Sequence, residues 1–171
     1  GLMFAAGDEA LAVANVVRAA LLAPEQAELA ERAASMAFRV GDDESVAAVV
    51  QAARSAGSSN ANMVAHLAAS CDRIGDVARR RELIDELLGQ GDLPVPVARL
   101  IVSFLLEEDQ PALARTVIEA ALEKAPDQAM LHYELGRACL LLDETARASV
   151  ALQRALDIGL PDHIAGQGKR L

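Results

Sequence analysis

The stretch AMLHYELGRACLLLDETARASVALQRALDIGLP, residues 129–161, decides the fold. It reads as two amphipathic helices joined by a short acidic turn at Asp143-Glu144. Small residues at Gly136, Ala148 and Ala155 stand where the two helices would cross closely, and Leu135, Leu152 and Leu156 fill the space around them. Counting back 34 residues from this hairpin lands on a second copy, then on a third and a fourth.

The turn is the clearest rung of the ladder. Gly7-Asp8, Gly41-Asp42 and Gly75-Asp76 are 34 residues apart, and Asp109-Gln110 and Asp143-Glu144 keep that register without an insertion. Glycine ends the first helix because it takes the left-handed conformation cheaply, and the acid after it can cap the next helix. In the second helices Ala12, Val46, Arg80, Ala114 and Ala148 share a slot. Val16 and Ala19, Val50 and Ala53, Ile84 and Leu87, Ile118 and Ala121, and Leu152 and Ala155 follow on the same face. In the first helices Ala37, Cys71, Leu105 and Cys139 are equivalent. Helices are predicted near 9–22, 25–40, 43–56, 60–74, 76–89, 94–108, 111–124, 128–142 and 145–158. Arg80 stands where a small residue is expected, which predicts a looser third pair of helices.

Composition agrees with an all-α chain. Of 171 residues 53% are hydrophobic but only 2% aromatic, and much of the apolar content is alanine, which favours closely packed helices. Net charge is −9, against a nucleic-acid surface and against docking on an anionic bilayer. No apolar run reaches a membrane span, and the first residues carry no basic start or apolar stretch of signal-peptide length. Cys71 and Cys139, two repeats apart, lie beyond disulfide reach in stacked helices and read as buried free thiols. Free thiols lean towards a reducing, cytoplasmic compartment without excluding a periplasm.

A helix–turn–helix period of 34 residues resembles the tetratricopeptide repeat (TPR) family. The resemblance rests on Leu135-Gly136, Cys139, Ala148, Leu152, Ala155 and the closing Pro161. The family's early aromatic is replaced by Ala30, Val64, Ala98 and His132. The expected organisation is a partial leading repeat over 1–26, full repeats over 27–60, 61–94, 95–128 and 129–162, and a tail or truncated cap over 163–171, forming one solenoid domain. What the resemblance implies is a right-handed superhelical solenoid of antiparallel helix pairs, first helices lining a concave groove. Such arrays bind peptides or helices of protein partners.

No catalytic chemistry is legible. His66 and Cys71 fall on different faces of one helix, and His132 reads as a packed core histidine. Gly166 to Arg170 lacks the spacing and the preceding strand of a phosphate loop. Arg79-Arg80-Arg81, flanked by Asp76 and Glu82, reads as a solvated helix face. The expectation is therefore a non-enzymatic scaffold or adaptor with no metal and no cofactor. Its partner would be a protein or peptide, with neither nucleic acid nor membrane insertion.

Projecting the first helices onto the family's concave face predicts the partner-binding residues Arg99, Leu100, Ser103, Leu106, Tyr133, Arg137, Leu140 and Leu141, extended by His66 and Arg73. The C-terminal half would be an apolar strip edged by arginines. Glu31, Ser35, Ala65 and Ala69 stand where carboxylate-clamping family members carry lysine and asparagine, which argues against chaperone-tail binding. Val150, Leu152 and Leu156 at one end, with Leu2, Met3 and Phe4 at the other, read as truncated surfaces, capped by a neighbour or paired in a homo-oligomer. Two other readings remain open: a regulatory or targeting arm of a larger enzyme such as a transferase, and a bacterial secretion or envelope-assembly scaffold.

Overall fold

The computed structural model describes the backbone of residues 2–160 and the side chains from Glu9 onward. Among the described residues there are nine α-helices and no strand: α1 (Leu2–Leu22), α2 (Ala27–Val40), α3 (Asp43–Ser55), α4 (Ala61–Ile74), α5 (Val77–Gln90), α6 (Val95–Glu107), α7 (Pro111–Lys124), α8 (Ala129–Leu141) and α9 (Thr145–Ile158). The chain divides between Asp92 and Leu93 into two compact units, the first holding α1–α5 and the second α6–α9. No helix among the described residues is long and apolar enough to cross a membrane.

The turn ladder explains the hairpins. Gly41 and Gly75 take φ of 80° and 78°, and Asp109 and Asp143 take the same left-handed region at 55° and 59°. The following N–H then reaches back to the carbonyl of the shared first-helix slot, Asp42 to Ala37 at 2.9 Å and Asp76 to Cys71, Gln110 to Leu105 and Glu144 to Cys139 at 2.8 Å. These bonds satisfy a carbonyl that the helix end would otherwise orphan. Asp42 and Asp76 also cap their helices, accepting from the N–H of Ser45 and Arg79 at 3.0 and 3.1 Å. Gln110 and Glu144 make no side-chain cap bond; Glu144 pairs instead with Arg115 and Arg147.

Gly7-Asp8 departs from the ladder, because α1 runs straight through it. A glycine inside a helix costs only about 1 kcal/mol, which a continuous α1 tolerates. The side chains of Leu2, Met3 and Phe4, and the whole of 161–171, lie outside the described residues.

In the first unit Val13, Val17 and Ala20 of α1 pack with Ala30, Ala33, Ala34 and Ala37 of α2 and with Val46, Val49, Val50 and Ala53 of α3. So many alanines let the helix axes approach closely. Ser58, in the slot that Pro24 holds one repeat earlier, donates its hydroxyl to the Pro24 carbonyl and ties the two loops together. Arg80 is buried in α5, but its guanidinium reaches Asp72, and Leu83 and Leu87 beside it remain fully buried. The basic run is therefore not a uniformly solvated face: Arg79 and Arg81 are exposed and Arg80 is not.

In the second unit α6 is buried around much of its circumference, through Val97, Ala98, Ile101, Val102, Phe104, Leu105 and Leu106. The crossing of α8 and α9 depends on Gly136. A methyl at Gly136 would lie 2.5 Å from Leu152 Cγ and 2.7 Å from its Cδ2. At the end of α9, Gly159 takes φ 108° and turns the chain so that Leu160 joins Tyr133, Leu152 and Ala155 in a small core.

Candidate partner-binding surface

In the second unit the first helices α6 and α8 carry eight of the predicted residues. Arg99 is exposed, with no ion pair among the described residues. Leu100 and Leu140 are half-buried, and Leu141 is 53% exposed. Ser103 is half-buried and donates its hydroxyl to the Leu100 carbonyl at 2.7 Å, so its oxygen serves the helix. Arg137 pairs with Glu134, one turn away on the same helix, at 2.8 Å.

Two of the eight are not surface residues. Tyr133 is 7% exposed and Leu106 is 9% exposed. The ring of Tyr133 is covered by Leu152 and Ala155 of α9 and by Leu160, which Gly159 folds back over it. Leu106 is drawn in because α6 has apolar neighbours on more than one side. Projection onto one concave face treats each first helix as half-solvated; α6 is not. Of the apolar residues among the eight, Leu100, Leu140 and Leu141 keep appreciable exposure, as do Arg99 and Arg137.

His66 and Arg73 belong to the first unit, where they are engaged internally. The His66 ring lies 5.4 Å from that of Phe38 at 34°, and the Arg73 guanidinium covers the Phe38 ring at 4.6 Å. Arg73 Nε donates to both Asp43 oxygens at 3.1 Å, and its Nη1 donates to the Phe38 carbonyl at 3.1 Å. Hydrogen bonding from Arg73 holds the Asp43 carboxyl below its ordinary pKa, with Ser70 adding a second donor and burial opposing. Burial pushes the His66 imidazole below its ordinary value, and Glu31 pulls the other way. Glu31 in turn accepts from Asn60 and Asn62 at 2.6 and 2.8 Å.

Phe38 was missed by the sequence reading, although an aromatic in a chain with only three phenylalanines and one tyrosine is a usable signal. His132 is not a core residue either; it is half-buried, with Nε2 2.7 Å from the Pro126 carbonyl. Cys71 and Cys139 are buried free thiols, as the register predicts, and burial raises both pKa values away from the reactive thiolate. Among the described residues no three His, Cys, Asp or Glu side chains converge as metal ligands.

No protein-family model matches the chain, and no curated protein does. Solved structures do. The TPR protein YrrB, whose structure is described as having an unusual peptide-binding site, aligns at TM-score 0.70 and 17% identity over 99% of this chain and 88% of its own. A MamA structure aligns at 0.72 and 11% identity over 90% of both chains. MamA residues 41 to the end from Desulfovibrio magneticus RS-1 align at 0.64 and 22% identity, over 78% of this chain and 75% of that one. The chain thus has the tetratricopeptide-repeat fold, all-α and built from helix pairs.

Proposed function

We propose that the chain is a non-catalytic interaction scaffold whose second unit binds a peptide or helix of a protein partner along α6 and α8. The observation that carries this reading is the exposure left to Leu100, Leu140 and Leu141 on α6 and α8, together with the exposed Arg99, which has no ion pair among the described residues. Apolar side chains of a partner would dock on the leucines, and an acidic group would meet Arg99. The peptide-binding site named for YrrB, on the same fold, supports the class of ligand. The buried thiols, with pKa values raised by burial, support a non-catalytic role.

The burial of Tyr133 dictates the test. A Tyr133 variant would damage the fold, so the informative variant pairs Leu141→Asp with Arg99→Glu, both on exposed residues. Affinity capture with the 171-residue chain should return a partner that this variant loses while its helical circular dichroism is unchanged. A partner retained equally by both proteins would remove the strip from consideration.

A further inference from the structure

The second unit also holds a pocket of about 520 Å³, on the opposite side of α8 from Arg137 and Leu141. Its walls are apolar, formed by Leu135 of α8 and by Ala146, Val150 and Ala151 of α9, with the buried Cys139 behind them. Val150 is 71% exposed, and the two alanines leave the space beside it unfilled. A pocket of this size and lining, with a few polar groups at its edge, is the usual form of a binding site.

The edge is one-sided in charge. The charged or imidazole side chains lining the pocket are Arg147, Arg154 and His132, all basic, in a chain with 25 acidic and 16 basic residues. Arg147 and Arg154 are 55% and 53% exposed and stand two turns apart on α9, about 10 Å along its axis. Their present partners lie outside the lining. Arg147 holds Glu119 of α7 at 2.7 Å and Glu144 at 3.1 Å, and Arg154 holds Asp127 at 3.2 Å. Ion pairs this exposed are weak and exchange readily for carboxylates of another chain.

The repeat itself does not require this arrangement. One repeat earlier Leu113, Thr116 and Ala120 occupy the places of Arg147, Val150 and Arg154, and two repeats earlier Arg79, Glu82 and Glu86 do. Two arginines astride an exposed apolar residue are therefore particular to the last helix pair. An otherwise acidic surface repels an acidic partner, which would leave it this basic-edged pocket.

We propose that the outer pocket is a second docking site, distinct from the strip on α6 and α8, for an acidic amphipathic segment of a partner protein. One aliphatic or aromatic side chain of that segment fills the space over Ala146 and Ala151. Carboxylates on either side, about seven residues apart if the segment is helical, pair with Arg147 and Arg154.

The probe is a fluorescein-labelled helical 15-residue peptide of about 4 turns, with one central leucine flanked by glutamates on the same face. Its controls replace the glutamates by lysine or the leucine by serine. Anisotropy titrations with the full chain should show saturable binding of the acidic peptide alone. Arg147→Glu with Arg154→Glu, both surface changes, should weaken it about tenfold or more, and Ala151→Phe should remove it by filling the pocket. Leu141→Asp, on the other side of α8, should leave it unchanged. Bound peptide should also slow alkylation of Cys139 without slowing that of Cys71. No saturable binding by about 1 mM, equal binding of the lysine peptide, or indifference to the arginine reversals would each overturn the proposal.

Discussion

Gly136→Ala is the sharpest test of how α8 and α9 pack. The added methyl would sit 2.5 Å from Leu152 Cγ, 2.7 Å from Leu152 Cδ2 and 3.4 Å from the Ala148 carbonyl oxygen. The Cγ contact is with the branch point of a leucine that is itself buried, so the side chain cannot swing clear without leaving its rotamer. Overpacking of this kind costs about 1–3 kcal/mol. Alanine returns about 1 kcal/mol of helix propensity, which leaves a net loss of up to about 2 kcal/mol. Thermal melts followed at 222 nm should therefore fall, by roughly 4–8 °C for each kcal/mol lost from the second unit. Gly89→Ala, where nothing lies within 4 Å of the new methyl, should do the opposite and stabilise α5 by up to about 1 kcal/mol. Leu152→Ala on its own should cost about 2–5 kcal/mol. In that background the Gly136 substitution should become neutral or stabilising, a coupling of about 2 kcal/mol. Should Gly136→Ala stabilise the wild-type background as Gly89→Ala does, the close crossing is not what holds this hairpin.

Four further outcomes follow from the turns and the first unit. Asp109→Gly and Asp143→Gly relieve a left-handed backbone at φ 55° and 59° and should each stabilise by up to about 1 kcal/mol in urea titrations, whereas Gly75→Val at φ 78° should destabilise. His66 has a folded pKa below its unfolded one, so the unfolded chain binds the proton first. Stability of the first unit should thus be full above about pH 7 and decline as pH falls through about 6.5; His66→Gln should flatten that slope in melts at a series of pH values. Asp43 has the opposite sign of partner effect, and its contribution should persist above the ordinary carboxylate range and vanish as pH falls through its lowered folded pKa, a loss that Arg73→Met abolishes. Arg80→Met replaces a buried guanidinium by a side chain of similar length and should leave stability within about 1 kcal/mol, read from urea midpoints, whereas Arg80→Ala should lose more.

The helices were legible because one slot pattern repeats on one face, and small-to-large alternation such as Gly136 against Leu152 specifies close hairpins. The ladder could also be read through a change of residue: Asp109 and Asp143 take the backbone that Gly41 and Gly75 take, since aspartate tolerates it better than most side chains. What the pattern could not carry was context. Gly7-Asp8 has the right register, yet α1 continues through it. Tyr133 has the register of a groove residue, yet Leu160, in the slot that Pro126 holds one repeat earlier, packs with it in the small core at the end of α9. His132 sits in an aromatic slot but finds a loop carbonyl at the surface, because an imidazole loses more by dry burial than a phenyl ring does.

The same inner positions have opposite fates in the two units, and side-chain chemistry explains why. In the first unit they are polar and find one another: Asn60 and Asn62 meet on Glu31, and Arg73 spans Asp43, the Phe38 carbonyl and the Phe38 ring. A donor already satisfied at about 3 Å gains little by exchanging one acceptor for another, so such a face adds selectivity against wrong partners more than affinity for the right one. In the second unit Leu100 and Leu141 stand in the register of His66 and Arg73, and with Leu140 they offer apolar surface that gains about 25 cal/mol for each Å² that a partner covers. Affinity should therefore concentrate on α6 and α8. Substitutions that break the Glu31 or Arg73 networks should alter the stability of the first unit before they alter partner binding. A partner whose affinity fell tenfold with Arg73→Met, at unchanged stability, would reverse that ordering of the two faces.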